Sequence, residues 1–511
     1  MSKTEYFILS GGGEVEKLLG RLSGDFALVS EKPYEKDRLF LDTFDHGLYK
    51  KGYLLTVEDG GLILRNPAGD TEASSPLQGA DGLPRFWQDL PEGPFREELR
   101  SVIDMRALLP VIRVESRVRQ HNVTNEDEKT VAHLRFEEIK VSGQGAPGDT
   151  VHLLEAVPVR GYVEEFNNLT RYLSNLGIER AEGNIFSAAL AASGRKAGDY
   201  SSKVSVRLEP DMSSAAALKL VLRSLLETMR RNEEGIVKDI DTEFLHDFRV
   251  AVRRTRSALT LIKGVFPDGI KERFKTEFAG IGRKSNELRD LDIYLLKREQ
   301  YTEMLPPALR PGLGHLYDMI RLEREDALRE FVRELESYSY RRSIGSWENF
   351  LNETAEGDSP EAGAPVIDLA KRRIRKRYKK AVKLGKSIDE SSSDMDIHSL
   401  RIECKKLRYY LEFFESLFPA DEIRDVIRHL KLLQDNLGDY NDMHVQQERL
   451  RGYISKMDSS ERAGYSIAAA GGLISELYMR QREIRSEFHA RFEEFSGGDM
   501  KGLFDKLFSG N

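Results

Sequence analysis

A chain of 511 residues with 40% hydrophobic and 32% charged side chains and a net charge of −7 describes a multidomain globular protein with a heavily charged surface. A single cysteine, Cys404, excludes an internal disulfide framework, and no run approaches the ~18 apolar residues of a membrane span. The N-terminus lacks the basic-then-apolar pattern of a secretion signal, so the cytoplasm is the expected address and no membrane is expected as a partner.

The N-terminal stretch, 1–190, reads as β-rich. Strands are predicted at Arg38–Thr43, Leu54–Val57, Leu62–Arg65, Val111–Arg119, Thr130–Val141 and Val151–Val159, from short alternating segments rich in Val, Leu and Ile. Turn-rich stretches fall at 66–91 and 142–149, and helices are expected at Val15–Leu22 and Val163–Leu176. Many short strands with few helices imply an antiparallel barrel or curved sheet. Residues 191–204 are small and polar and read as a linker.

From 205 to 511 the pattern changes to period 3.6. Helices are predicted over 213–234, 242–265, 270–299, 320–340, 365–387, 394–417, 421–436, 438–456 and 463–494. Charge also changes: residues 1–200 hold 24 Lys+Arg against 32 Asp+Glu, whereas the rest hold 54 against 53.

The helical part repeats itself. His246–Pro267 aligns without gaps onto His398–Pro419 at a constant offset of 152, and Leu288–Asp292 resembles Leu437–Asp442 at an offset of 149. The copies are expected at about 213–345 and 365–505. His246, Arg249, Arg253 and Arg256 stand at i, i+3, i+7 and i+10, within an arc of about 80° and a stripe of about 15 Å. His398, Arg401, Lys405 and Arg408 repeat that stripe. Phe248, Val252, Leu259 and Ile262 back the first, and Leu400, Cys404, Leu407, Leu411 and Phe414 the second. Like charges along one stripe repel, so an anionic partner is expected, the alternative being a solvated basic face paired with acids on a neighbouring helix. Between the copies, ten of the sixteen residues from Lys371 to Lys386 are Lys or Arg, with one apolar seam of Ala370, Ile374, Tyr378 and Ala381.

These paired H-x-x-R stripes, with the trailing LRDLD and LGDYND, resemble the CHAD family, the conserved histidine α-helical domain, over about 205–505. The resemblance implies a pair of four-helix bundles whose basic helices line a groove or pore for inorganic polyphosphate. It implies contacts from His246, Arg249, Arg253, Arg256, His398, Arg401, Lys405 and Arg408, with Arg373, Lys376, Arg377 and Lys380 added from the basic block. The chemistry agrees. Polyphosphate offers oxygen acceptors only, which suits forked Arg donors, mobile Lys charges and protonated His. Association with polyphosphate granules follows as an expectation.

Leu39–Val57, Val111–Gln120, Leu134–Val141 and Gly161–Leu176 resemble segments of the CYTH family, the triphosphate-tunnel fold. The resemblance implies a closed antiparallel barrel with basic residues on a triphosphate and glutamates on Mg²⁺ or Mn²⁺. The sequence departs from that family's Glu-x-Glu-x-Lys strand: Glu5 is present, but Phe7 and Leu9 stand in the other two places, and Leu153-Leu154-Glu155 keeps one acid. A hard divalent ion needs several carboxylate oxygens, so no metal, cofactor or catalytic residue is expected, and the barrel is expected to be silent as an enzyme. Arg65, Arg113, Arg117, Arg119 and Arg135 are the candidate anion contacts there. The fold class expected is α+β multidomain, a degenerate triphosphate-tunnel-like barrel followed by an all-α domain of two repeated bundles. Two other readings stay open at this point: a metal-dependent (tri)phosphatase in the barrel, and a nucleic-acid-binding protein using Lys371–Lys386, although nucleic acid is the less expected partner.

Overall fold

The computed structural model describes residues 4–65, 71–76, 82–142, 150–181, 183–353, 359–457 and 461–509. The stretches predicted as turn-rich at 66–91 and 142–149 lie partly outside these residues. The chain forms two compact units, Met1–Ser201 and Ser202–Asn511.

Elements of the first unit run β1 (Glu5–Leu9), α1 (Gly12–Asp25), β2 (Ala27–Ser30), β3 (Tyr34–Asp42), α2 (Gly47–Lys50), β4 (Leu54–Glu58), β5 (Gly61–Arg65), β6 (Thr71–Pro76), α3 (Pro94–Ile103), β7 (Leu109–Thr124), β8 (Thr130–Ser142), β9 (Val151–Pro158), α4 (Val163–Asn175), β10 (Glu179–Arg180) and α5 (Ile185–Ala192). The strands form one antiparallel sheet in the order β10-β1-β9-β8-β7-β3-β4-β5-β6, with β2 beside the far part of β7. Alternation sets the faces: on β7, Ile112, Val114, Ser116 and Val118 are buried while Arg113, Glu115 and Arg117 are exposed. One face packs on α1 and α4 through Phe7, Leu9, Leu134, Phe136 and Leu154. Phe40, Ile112, Val114, Ile139 and Leu153 pack on α5.

The expected closed barrel is not formed. Among the described residues the sheet ends at β10 and β6, and no ladder joins them. A two-residue strand such as β10 has too few backbone donors and acceptors to close a barrel, which needs matched edges. The sheet is curved and open.

The second unit is helical: α6 (Ser214–Val237), α7 (Thr242–Leu261), α8 (Asp268–Lys284), α9 (Asn286–Leu296), α10 (Arg298–Glu303), α11 (Leu313–Leu335), α12 (Tyr338–Asn352), α13 (Val366–Lys386), α14 (Asp394–Phe413), α15 (Ala420–Lys456), α16 (Glu461–Ser496) and α17 (Gly498–Phe508). The segments predicted separately at 421–436 and 438–456 are one 37-residue helix, α15. Gly438 does not interrupt it, because a single glycine costs an established helix only ~1 kcal/mol.

Helix starts recur with the sequence repeat. Asp241 caps α7 and Ser393 caps α14 through side-chain acceptors, and Pro267 and Pro419 precede α8 and α15. Ser213 forms an isolated antiparallel bridge with Pro365, its own counterpart at the repeat offset. A residue that meets its counterpart marks an approximate two-fold axis. The copies are not separate bodies: α9, α10 and α11 share a core with α15 and α16, through residues such as Tyr301, Leu316, Ile320, Leu450 and Leu473.

Candidate functional site

The two stripe helices bury their apolar faces. Phe248, Val252 and Leu259 on α7 with Ile262 at its C-terminal cap, and Leu400, Cys404, Leu407 and Leu411 on α14 with Phe414 at its cap, are each at most 2% exposed. The charged faces are left to meet elsewhere. Arg253 and Arg256 of α7 and Lys405 of α14 line one groove of about 570 Å³, completed by α8. Arg253 and Lys405 are repeat counterparts. Lys406, Lys275 and Arg283 also line the groove, and Glu272 supplies an acid beside Lys275 at 3.0 Å.

Electrostatics show how crowded these cations are. Burial pushes the Lys405 amine down to about 8, helped by Arg401 and Arg253 and opposed by Asp442. Arg249 is pushed down to about 10, first by burial and then by Arg253 and Arg289, with Asp290 opposing. Its guanidinium donates to Ser285 Oγ at 2.8 Å and Asn286 Oδ1 at 3.0 Å. Arg401 is lowered by burial and by Arg253, and lies 3.7 Å from Asp442. Arg253 thus acts on residues of both stripes.

The remaining stripe residues are more occupied. His398 Nδ1 lies 3.0 Å from Asn441 Oδ1, and His246 is half-buried at the equivalent place on α7. Arg408 pairs with Glu412 at 2.6 Å, and the same carboxylate holds Arg254 at 2.8 Å, tying α7 to α14. The basic helix α13 is clamped in a similar way. Glu403, 3% exposed, accepts from Arg377 at 2.8 Å, Lys380 at 3.1 Å and Lys406 at 2.7 Å. Arg373 pairs with Glu361 at 3.0 Å, and Lys376 is exposed. None of these four α13 residues lines the groove, and Lys406 is the link between the Glu403 clamp and it.

The first unit holds a smaller cavity of about 260 Å³ on its curved sheet. Of the five arginines singled out from the sequence, Arg65 and Arg135 line it. Arg113 and Arg117 stand on the exposed face of β7, where Arg113 pairs with Asp37, and Arg119 pairs with Glu16 at 2.5 Å. These three do not line the cavity; their place in the alternation of β7 turns them away. Lys36 and Arg38, on β3, do line it. Phe7 and Leu9 are also displaced from the expected wall. They pack beneath α1 and α4, and Tyr6 faces the cavity in their stead.

The cavity's carboxylates are already engaged. Arg38 pairs with Glu137, Arg135 with Glu155 at 3.0 Å, and Arg65 and Lys36 with the neighbouring Glu58 at 2.7 and 2.9 Å. Carboxylates bound to guanidinium groups do not fit the open oxygen set of a hard divalent ion. Among the described residues, no group of three or more His, Cys, Asp and Glu side chains is placed to hold a metal.

Residues 220–451 match the family model described as CHAD domain. The uncharacterized proteins MT2285 and Rv2226 of Mycobacterium tuberculosis (strains CDC 1551 / Oshkosh and ATCC 25618 / H37Rv) are each 30% identical, over 211 and 217 residues. Each match covers 40% of this chain and 39% of the relative, so the chain spans well under half of the curated relatives it matches. The crystal structure of the CHAD domain from the plant Ricinus communis aligns with a TM-score of 0.47 at 25% identity, over 57% of this chain and 96% of that one. PptA from Streptomyces chartreusis aligns with a TM-score of 0.43 at 15% identity, over 55% and 99%.

Proposed function

We propose that the CHAD domain at residues 220–451 uses the groove between α7, α8 and α14 to bind inorganic polyphosphate. The observation that carries this reading is the meeting of Arg253 and Lys405, repeat counterparts, on one cationic surface. Arg253, Arg256 and Lys405 take the central contacts, joined by Lys406, Lys275 and Arg283. His246, Arg249, His398, Arg401 and Arg408 extend the track along the two helices, and Lys376, with Arg373, Arg377 and Lys380 around it, supplies an outer field. Guanidinium groups fork onto phosphate oxygens while Lys adds a compact charge.

Nucleic acid is the weaker fit. Single-strand binding draws on aromatic faces, and Tyr409 and Tyr410 are only 9% and 1% exposed. In the first unit the paired cavity supports a scaffold derived from a triphosphate tunnel, with no turnover of tripolyphosphate. Recruitment to polyphosphate, including granules, is the cellular role that follows.

The test is a competition of long-chain polyphosphate against RNA and DNA at fixed salt. Polyphosphate wins, and reversing Arg253 and Lys405 to Glu lowers its affinity by about 100-fold, as expected for two lost charge-assisted contacts replaced by repulsion, with helicity retained. Unchanged affinity in that double variant removes the groove from the function.

A further inference from the structure

The groove differs from a plain anion site in holding an amine against an apolar wall. Lys405 is half-buried there, beside Leu261, Ile402 and Tyr409, while Arg253 and Arg256 line the same space. We infer that Lys405 is a site of covalent acylation by small acyl phosphates, which the groove recognises through their phosphate group.

Three features converge. Arg253 and Arg256 offer forked donors to a phosphate. The apolar wall accommodates the acyl group. The amine itself is available for attack, because burial and then the charges that face it favour loss of its proton: Arg401 and Arg408 on its own helix and Arg253 on α7, with Asp442 on α15 opposing. Across the groove, α8 contributes Lys275 and Arg283 against Glu272. With the amine at about 8, roughly a quarter of it is unprotonated at about pH 7.5, against about 0.1% for an ordinary lysine.

The step balances without a further reactant. The Nζ lone pair attacks the carbonyl carbon and a C–N bond forms. The C–O bond to phosphate breaks, its electron pair leaves with inorganic phosphate, and the proton released from Nζ passes to solvent. The arginines that hold the phosphate in the ground state also hold it as it leaves. The product is an uncharged amide beside Arg253. On the reading above, and only for this consequence, acylation would lower polyphosphate affinity and act as a brake on recruitment.

The experiment treats the full chain with acetyl phosphate and follows acetylation of Lys405 by peptide mass spectrometry, with the exposed Lys379 of α13 as internal reference. Lys405 is expected to react at least ~10-fold faster than Lys379, in line with its lowered basicity. Inorganic phosphate should slow Lys405 and leave Lys379 unchanged. Arg253→Gln, at an exposed position, should slow the reaction with acetyl phosphate more than that with acetic anhydride, which carries no phosphate and registers only the lost influence of Arg253 on the amine's proton. Equal rates at Lys405 and Lys379, or no protection by phosphate in the unaltered protein, would overturn the inference. Polyphosphate binding measured on the same preparation separates the two ideas. Selective, phosphate-protected acylation without polyphosphate affinity keeps this inference and removes the reading above; polyphosphate affinity without selective acylation removes this inference alone.

Discussion

Burial of Lys405 beside Arg401 and Arg253 makes its charge costly to the folded chain. Unfolded, the amine returns to its ordinary value near 10.5. Between about pH 8 and 10.5 the unfolded state therefore binds more protons, and stability rises with pH across that window. Below it both states are protonated and the full cost is present. Lys405→Met is expected to stabilise the protein by about 1–2 kcal/mol at neutral pH, less than the whole shift because solvent screens part of it. Urea unfolding from pH 7 to 10 should show the gain shrinking as pH rises. Binding runs the other way. Polyphosphate favours the charged amine, so affinity falls from about pH 7 to 9 with proton uptake on binding, and calorimetry on Lys405→Met should lose that dependence.

The clamp between α13 and α14 rests on Glu403, which holds Arg377, Lys380 and Lys406 and is itself held below the usual carboxylate range: burial opposes the charge, but the three bonds outweigh it. A lowered carboxylate contributes stability that is present above its unfolded value and lost as pH falls through the folded one. Glu403→Gln should cost about 2 kcal/mol near neutrality, since it leaves several cations crowded without their counter-charge. The difference from the unaltered protein in thermal unfolding should close as pH falls below about 4. This clamp was not legible in the sequence, because Glu403 sits in the apolar pattern beside Cys404 and its partners on α13 are fixed only by packing. The helices and most strands were legible, since periodicity of 3.6 or 2 dictates which face is buried. Lys36 and Arg38 were not: alternation assigns charges to the wet face, and Arg38 finds its partner Glu137 across a register spanning 99 residues. Lys275 and Arg283 could have been found. With Ala279 they stand at i, i+4 and i+8 on one face of α8, a stripe outside the aligned repeat.

At the scale of the whole molecule, the clusters around Phe7, Leu41 and Phe40 lie within the first unit and that around Tyr301 within the second. The fragment 202–511 should fold alone and keep the polyphosphate affinity of the full chain. Six groove cations at roughly 0.7 per phosphate contact predict a log K against log salt slope of about −4, and a slope near zero in the fragment would place the cations elsewhere. The approximate two-fold that brings Ser213 to Pro365 is not carried through to the groove: α8 of the first copy completes it, and Arg408 and Arg254, the counterparts of Arg256 and Lys406, pair with Glu412 outside it. A nucleic acid strand runs 5′ to 3′ and would match such a lining in one sense only, but a chain of identical phosphates has neither head nor tail. On the proposed reading it can lie in the groove in either sense and meet the same lining, a statistical factor of two worth about 0.4 kcal/mol. Indifference to direction would then belong to the ligand, and an uneven lining would cost it nothing.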